Sequence, residues 1–325
     1  MKFIAYTHYS PLIHGSGGER YLQNLLESLS LRHNKCICWC REDSNKTRIE
    51  NNVQYLHEVN TDSSFEEFVR KEKPDFIITH FHSSTYAIQL AHSLKIKVIY
   101  IAHNDMAITT QKEIALLKEN DICVFNTLWI FNKLAKLTKA RTCVVHPVIQ
   151  LPRKLKLEQR EFITFVNPTK AKGSDIFYRT ALMLRDKQFL VVKGGYGNQD
   201  IRKIKNVKII ENTQDIFDDV YSKTRLLVAP SLYETYGMVA AEAASLGIPC
   251  IVSKTAGFHE CLGEAGILVN SVKAADWVVA IRKFDDENYY KKYSLLCRER
   301  MQQEREKPYF EDFYRIVEFL HNKHF

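Results

Sequence analysis

The chain has 325 residues, of which 45% are hydrophobic and 26% are charged, and its formal net charge is +8. This length suffices for two domains of ordinary size, and the composition is that of a globular protein. No run of 18 apolar residues occurs, which excludes a membrane-spanning helix, and no basic block suggests a nucleic-acid groove.

The N-terminus and the cysteines predict a cytoplasmic protein. The first residues, MKFIAYTHYSP, indicate a strand and not a signal peptide, because polar residues and a proline follow too soon. The eight cysteines form no C-x-x-C pair, which favours free thiols in a reducing compartment. Cys36, Cys38 and Cys40 alternate with Ile37 and Trp39, so we interpret them as apolar fillers of a doubly buried strand, with metal binding as the alternative.

Strands and helices alternate in the N-terminal half, which predicts a doubly wound parallel sheet. The strands are predicted over residues 2–6, 35–40, 53–57, 75–79, 97–102, 121–125 and 142–145. The helices are predicted over residues 18–31, 63–72, 84–94, 111–118 and 128–137. Residues 146–160, with two prolines and a charged run, are predicted to link this half to a second domain.

The C-terminal half repeats the alternation. Its strands are predicted over residues 162–166, 188–193, 207–210, 225–229, 249–253 and 265–269. Its helices are predicted over residues 174–185, 237–246, 273–283 and 286–304, with a further helix after Thr255. Pro308 then interrupts the chain, and residues 309–320 predict a last amphipathic helix.

Two carboxylates bracket the start of helix 237–246. Glu234 lies in the preceding loop, and Glu242 lies among small apolar residues, where an unpaired carboxylate is costly. The helix start offers unpaired backbone N–H groups, namely those of Tyr236, Gly237 and Met238. Since such an end attracts anions, the pattern predicts a ligand with a central phosphate and hydroxyls at both ends, such as a sugar nucleotide. The alternative is that both carboxylates are merely solvated.

Polar residues at the carboxyl ends of other strands are further candidates, because ligands of doubly wound sheets bind there. We interpret His80 and His82 as structural, since no third metal ligand is evident nearby. His103 follows strand 97–102 and is left open between a ligand contact and a structural role. Lys172 can neutralise a phosphate, although a solvated lysine is the default interpretation of any single lysine.

The stretch 234–242, ETYGMVAAE, has Pro-Ser at 230–231 before it and G-I-P at 247–249 after it. The combined pattern resembles the E-x7-E segment of retaining glycosyltransferases of the GT-B fold, glycosyltransferase family 4. The resemblance implies an α/β protein of two Rossmann-like doubly wound domains that face each other across a cleft. It implies an acceptor-side domain over residues 1–150 and a nucleotide-sugar-binding domain over residues 151–305. It also implies that residues 306–325 form a helix that crosses back to the first domain.

The resemblance also implies roles for single residues. Glu234 would hold sugar hydroxyls, Glu242 the nucleotide ribose, Lys172 the donor phosphates and His103 the transferred hexose. Further donor contacts are implied at glycines and backbone amides, namely Gly17, Gly18, Gly195, Tyr236, Gly237 and Met238. One departure is Asn167, where relatives usually have an arginine that clamps phosphate. We expect nearby Lys170 to compensate.

The expected activity is a retaining transfer of a hexose from a nucleotide-diphosphate sugar, UDP- or GDP-linked, to a hydroxyl of a glycan, lipid-linked or small-molecule acceptor. The chain has no D-x-D sequence, so we expect no metal and no cofactor beyond this co-substrate. The alternatives are a GT-B sugar-nucleotide epimerase and an inactive nucleotide-sugar-binding scaffold. Peripheral membrane contact, the base and hexose of the donor and the oligomeric state stay open.

Overall fold

The structure is a computed structural model that describes residues 1–41, 47–57, 62–81, 84–104, 117–149, 151, 160–195, 197–213 and 215–323. The chain forms two compact units, residues 1–148 with 308–325 (unit 1) and residues 149–307 (unit 2). Some predicted features fall outside the described residues, namely His82, most of helix 111–118 and most of the linker 146–160.

Within the described residues of unit 1, eight strands form one sheet in the order β3-β4-β2-β1-β5-β6-β7-β8. The strands are β1 Lys2–Thr7, β2 Lys35–Cys40, β3 Arg48–Glu50, β4 Val53–Leu56, β5 Phe76–His80, β6 Lys97–Ala102, β7 Ile122–Phe125 and β8 Arg141–Val144. All neighbours pair in parallel except β3, which runs antiparallel to β4. The carboxyl ends of the parallel strands therefore share one edge of the sheet.

The helices of unit 1 cover both faces of this sheet. They are α1 Gly17–Ser30, α2 Asp62–Glu72, α3 Ser84–Ser93 and α4 Leu128–Leu134, and the C-terminal helix Tyr309–Asn322 belongs to the same unit. Cys36, Cys38 and Cys40 pack into one buried cluster, whereas Ile37 and Trp39 pack into the cluster on the opposite face. This arrangement confirms the prediction of buried, free cysteines on a strand covered on both sides.

Unit 2 contains a second parallel sheet, which in its described residues has six strands in the order β11-β10-β9-β12-β13-β14. The strands are β9 Phe162–Val166, β10 Phe189–Val192, β11 Val207–Ile210, β12 Thr224–Ala229, β13 Cys250–Ser253 and β14 Ile267–Val269. The helices are α5 Ser174–Met183, α6 Met238–Ser245, α7 Ala256–Leu262, α8 Ala274–Arg282 and α9 Glu287–Glu306, and the C-terminal helix of unit 1 is therefore α10. The predicted fold of two doubly wound domains is confirmed.

Several short elements escaped the sequence analysis, among them strand β3 and a π-helical turn. Strand β3 has three exposed residues at the edge of its sheet, so it carries no apolar pattern that could reveal it. Residues Phe217–Tyr221 form a single π-helical turn, which is too short for periodicity to detect. The helix predicted over residues 128–137 ends at Leu134 and continues as a 3-10 turn over Ala135–Leu137, and the other predicted elements within the described residues are found with ends that differ by one or two residues. Among the described residues, none of the helices combines the length and apolarity that crossing a bilayer requires.

Candidate functional site

The loop between β12 and α6 carries Glu234 at the carboxyl edge of the sheet in unit 2. Helix α6 begins directly after Gly237, whose φ of +100° suits glycine and few other residues. A Cβ at Gly237 would also lie 2.6 Å from Cδ1 of Phe258 and collide with its ring. The N-cap residue Gly237 provides no side-chain cap for this helix, and a helix start of this kind can receive an anion.

Lys172 and Glu234 form an ion pair, although they are 62 residues apart in the chain. Lys172 Nζ lies 2.7 Å from Glu234 Oε2, and the two side chains are 24% and 12% exposed. Their loops touch through the backbone, because Leu232 donates a hydrogen bond to Ala171 O over 2.9 Å. A Cβ at Gly173 would lie 2.7 Å from a backbone carbonyl carbon of the Glu234 loop. The glycine therefore permits the close approach that forms the pair.

Glu242 is 4% exposed, as its apolar neighbours in the sequence suggested. Its Oε2 accepts a hydrogen bond of 2.8 Å from the hydroxyl of Tyr221, which lies on the π-helical turn. A buried carboxylate needs such partners, because losing hydration without them is costly. Tyr221 was absent from the sequence analysis, and no sequence signal linked it to Glu242.

Tyr236 and Met238 differ in how far they are buried. The Tyr236 side chain is 2% exposed, and burial raises the pKa of its hydroxyl well above the usual value. Met238 is half-buried at the first position of α6. The Tyr236 side chain packs into the core of unit 2, and the ligand contacts expected of the two backbone N–H groups stay a prediction.

Asn167 occupies the position where an arginine was expected, and its backbone adopts a left-handed φ of +60°. Gln199 Nε2 donates to Asn167 Oδ1 over 2.8 Å, and Gln199 Oε1 accepts from Gly194 N over 2.9 Å. The amide of Asn167 thus joins the turn that contains Gly195, where an added Cβ would lie 3.4 Å from an amide nitrogen of Asn212, its nearest neighbour among the described residues. Lys170 is exposed, and its compensating role stays a prediction.

His103 lies at the carboxyl end of β6 in unit 1 and is 7% exposed. The ring of Phe81 stacks on His103 with centroids 4.6 Å apart, and Tyr21 meets it edge-on at 5.1 Å. On its other side, His103 Nε2 lies 3.0 Å from Nδ1 of His80. His80 is fully enclosed, which fits the structural role predicted for it.

Gly18 lies in the first turn of α1, and Gly17 begins that helix. A Cβ at Gly18 would lie 2.7 Å from Cζ of Phe81, so the glycine leaves room for the ring that covers His103. Phe81 adopts a φ of +53°, which is strained for an aromatic residue. The sequence could not reveal this contact, because nothing in the pattern predicts a left-handed phenylalanine.

The structure therefore groups the candidate residues within each unit. In unit 2 it brings Lys172 to Glu234 beside the start of α6, with Glu242 inside the helix. In unit 1 it connects Gly18 to His103 through Phe81. Among the described residues, no group of three or more His, Cys, Asp or Glu side chains is arranged to hold a metal ion.

Residues 160–285, which contain Lys172, Glu234 and Glu242, match the family model for glycosyl transferases group 1. The chain is also similar to D-inositol 3-phosphate glycosyltransferase from Rhodococcus jostii (strain RHA1), with 28% identity over 241 residues. That match covers 62% of this chain and 53% of the relative. The chain thus spans about half the length of this curated relative and of the Rhodococcus opacus enzyme of the same name.

Solved structures match nearly the whole chain. Anabaena Alr3699/HepE in complex with UDP-glucose gives a TM-score of 0.77 at 12% identity and covers 98% of this chain and 99% of its own. Sucrose-phosphate synthase (tll1590) from Thermosynechococcus elongatus gives 0.73 at 16% identity, with 98% and 97% covered. The chain therefore has the GT-B fold, and its residues 160–285 carry the pattern of group 1 glycosyl transferases.

Proposed function

We propose that this chain is a glycosyltransferase that moves a hexose from a nucleotide-diphosphate sugar to an acceptor hydroxyl, with retention and without a metal ion. The observation that carries the proposal is the 2.7 Å ion pair of Lys172 and Glu234 beside the uncapped start of α6. The buried carboxylate of Glu242 lies eight residues further along the chain. The match of residues 160–285 to group 1 glycosyl transferases supports the proposal.

In this proposal each group has a distinct task. Lys172 and the N–H groups at the start of α6 neutralise the diphosphate as charge grows on it. Glu234 accepts hydrogen bonds from the sugar hydroxyls and keeps Lys172 in place through their ion pair. Glu242 accepts from the nucleotide ribose, and His103 contacts the hexose.

The reaction exchanges one bond at the anomeric carbon for another on the same face of the sugar. The bond from that carbon to the phosphate oxygen breaks, and a bond to the acceptor oxygen forms. The acceptor proton passes to the leaving phosphate oxygen, which becomes part of the nucleoside diphosphate. The protein residues therefore bind, orient and neutralise, and none of them has to form a covalent bond to the sugar.

A UDP-sugar is the favoured donor, because Alr3699/HepE, which shares the fold, was solved in complex with UDP-glucose. GDP-sugars are the alternative donors, and both classes are included in the binding screen described below. The relatives named D-inositol 3-phosphate glycosyltransferase favour a phosphorylated polyol as a small-molecule acceptor, beside glycan and lipid-linked acceptors. We place the protein in the cytoplasm, with peripheral membrane contact if the acceptor is lipid-linked.

The test begins with a thermal-shift screen of nucleotide sugars, because a bound donor raises the melting temperature in proportion to its affinity and concentration. Transfer is then measured with the best donor in wild type, Lys172→Ala and Glu234→Ala. We expect either variant to lose at least about a hundredfold in kcat, as when one preorganised charge partner is removed from a transition state. Turnover near wild type in either variant would refute its role.

A matched control is the ion pair of Arg282 and Asp186, whose atoms lie at a similar distance, 2.6 Å, but whose side chains are exposed. Asp186 precedes β10 and lies at the amino edge of the sheet, away from the carboxyl ends where Glu234 lies. Asp186→Ala should leave transfer unchanged. EDTA should not inhibit the wild type. Epimer formation without an acceptor would favour the epimerase, and tight nucleotide binding without turnover would favour the scaffold.

A further inference from the structure

A chain of hydrogen bonds connects the end of β1 to His103 through His80. The hydroxyl of Thr7 lies 2.9 Å from His80 Nε2, and His80 Nδ1 lies 3.0 Å from His103 Nε2. Thr7 and His80 are 1% exposed, so these contacts form away from solvent. The hydroxyl of Thr7 also lies 3.2 Å from the backbone carbonyl of Tyr9.

The direction of the hydrogen bonds from Thr7 to His80 and from His80 to His103 depends on where the proton of the Thr7 hydroxyl points. We assign the single proton of the Thr7 hydroxyl to Tyr9 O, because this carbonyl oxygen can only accept whereas His80 Nε2 can either donate or accept. His80 Nε2 must then carry a proton and donate to Thr7. A neutral imidazole has one N–H, so His80 Nδ1 is an acceptor, and His103 Nε2 must donate to it. The proton of neutral His103 is thereby fixed on Nε2, and its Nδ1 is an acceptor.

Both rings stay neutral at ordinary pH. Burial lowers the pKa of His80 to about 3. Burial also lowers the pKa of His103 well below its usual value, and a charge on His80 would lower it further. Neither residue can therefore act as a proton donor in the charged form near neutral pH.

We propose that Thr7 and His80 are positioning residues that fix the Nε2–H tautomer of His103, so that Nδ1 accepts a hydrogen bond from a hydroxyl of the transferred sugar. The tautomer follows from the direction assigned to the Thr7 hydroxyl, whereas the sugar contact rests on the proposed function. Phe81 and Tyr21 complete the arrangement, because they hold the ring of His103 from its face and its edge. A ligand group that can only accept hydrogen bonds cannot form one with Nδ1 of His103.

The tautomers can be read directly from the full-length, 15N-labelled protein. Long-range proton–nitrogen spectra at neutral pH distinguish protonated from unprotonated ring nitrogens, and the signals are assigned by their loss in His80→Gln and His103→Gln. We expect the proton on Nε2 in both rings. A proton on His103 Nδ1, or a charged ring, would overturn the proposal whether or not the protein has activity.

Thr7→Val tests the source of the constraint, because it removes the hydroxyl and keeps the shape of the side chain. We expect both rings to become mixtures of tautomers, and kcat/KM for the sugar nucleotide to fall about fivefold to tenfold, the equivalent of one lost hydrogen bond. The control is Thr79→Val, since the buried Thr79 hydroxyl donates to Tyr6 O and takes no part in the hydrogen bonds that connect Thr7, His80 and His103. It should leave both tautomers unchanged.

The outcomes distinguish the two parts of the proposal, namely the fixed tautomer of His103 and the contact of its Nδ1 with the sugar. Unchanged tautomers in a folded Thr7→Val protein would refute the positioning role of Thr7. Predicted tautomers without transfer from any nucleotide sugar would leave the hydrogen-bond chain intact and refute the proposed function. Predicted tautomers together with full transfer by Thr7→Val would refute the contact of Nδ1 with the sugar.

Discussion

Gly257→Ala should disable the site without changing any group that contacts a substrate. Gly257 lies in the first turn of α7 and packs against the backbone of the loop that carries Glu234. A Cβ at this position would lie 2.5 Å from both the carbonyl carbon and the oxygen of Thr235 and would also meet Glu234 O. Backbone atoms cannot rotate away as a flexible side chain can, so the loop or the helix must move.

Two opposing effects decide the free energy of unfolding of this variant. Alanine is favoured over glycine within a helix by roughly 0.5–1 kcal/mol. Overpacking costs about 1–3 kcal/mol, and the rigid contact places this site in the upper part of that range. Steric conflict therefore wins, and we expect a net loss of about 1–2 kcal/mol.

The expected effect on catalysis is larger. Ordinary contact begins at 3.4 Å, so the 2.5 Å approach requires the loop and the helix to move apart by about 0.9 Å. A misplacement of about 1 Å costs on the order of a hundredfold in rate. The shift would also separate Glu234 from Lys172, whose side chains now lie 2.7 Å apart.

The assay combines urea unfolding with transfer kinetics at 25 °C. Gly195→Ala is the matched control for stability, because the nearest described atom to its Cβ would be Asn212 Nδ2 at 3.4 Å, an ordinary contact distance. It should unfold within about 0.5 kcal/mol of the wild type. Gly257→Ala with unchanged unfolding and full turnover would refute the claim that this backbone contact positions Glu234.

Three further predictions follow from the same contacts. Tyr221→Phe should weaken nucleotide-sugar binding about tenfold or more by calorimetry, because Glu242 loses a buried hydrogen bond to its charged group; unchanged affinity would contradict this role. Lowering the pH from 7 to 5 should reduce the free energy of unfolding by about 2 kcal/mol through His80. The pKa of His80 is about 3 in the folded chain, which therefore binds fewer protons in this pH range than the unfolded chain. In urea titrations, His80→Gln should make the free energy of unfolding depend less on pH. Gly18→Ala should displace Phe81 and lower both the melting temperature and kcat/KM, whereas wild-type values in both assays would disprove the close contact.

The sequence was sufficient for the fold because every major element has its own local signal. The apolar runs at 162–166 and 250–253 and the small-residue helix between Gly237 and Gly247 could be located from pattern alone. The burial of Glu242 was likewise predictable, because its helix is apolar on all sides.

The partners of the candidate residues were not predictable, because they depend on tertiary contacts. Tyr221 reaches Glu242 from a π-helical turn 21 residues away. Thr7 and His80 come together only when β1 pairs with β5. The ion pair of Lys172 could not be found either, since a lone lysine in a turn has no signal that names its partner.

The most direct test of the central claim is a crystal structure of the protein with a bound nucleotide sugar. The account predicts sugar hydroxyls on Glu234, the ribose on Glu242 and the diphosphate between them, against Lys172 and the start of α6. Density for the nucleotide sugar at another place, with Glu234 still paired with Lys172 and Glu242 contacting no ligand, would contradict it.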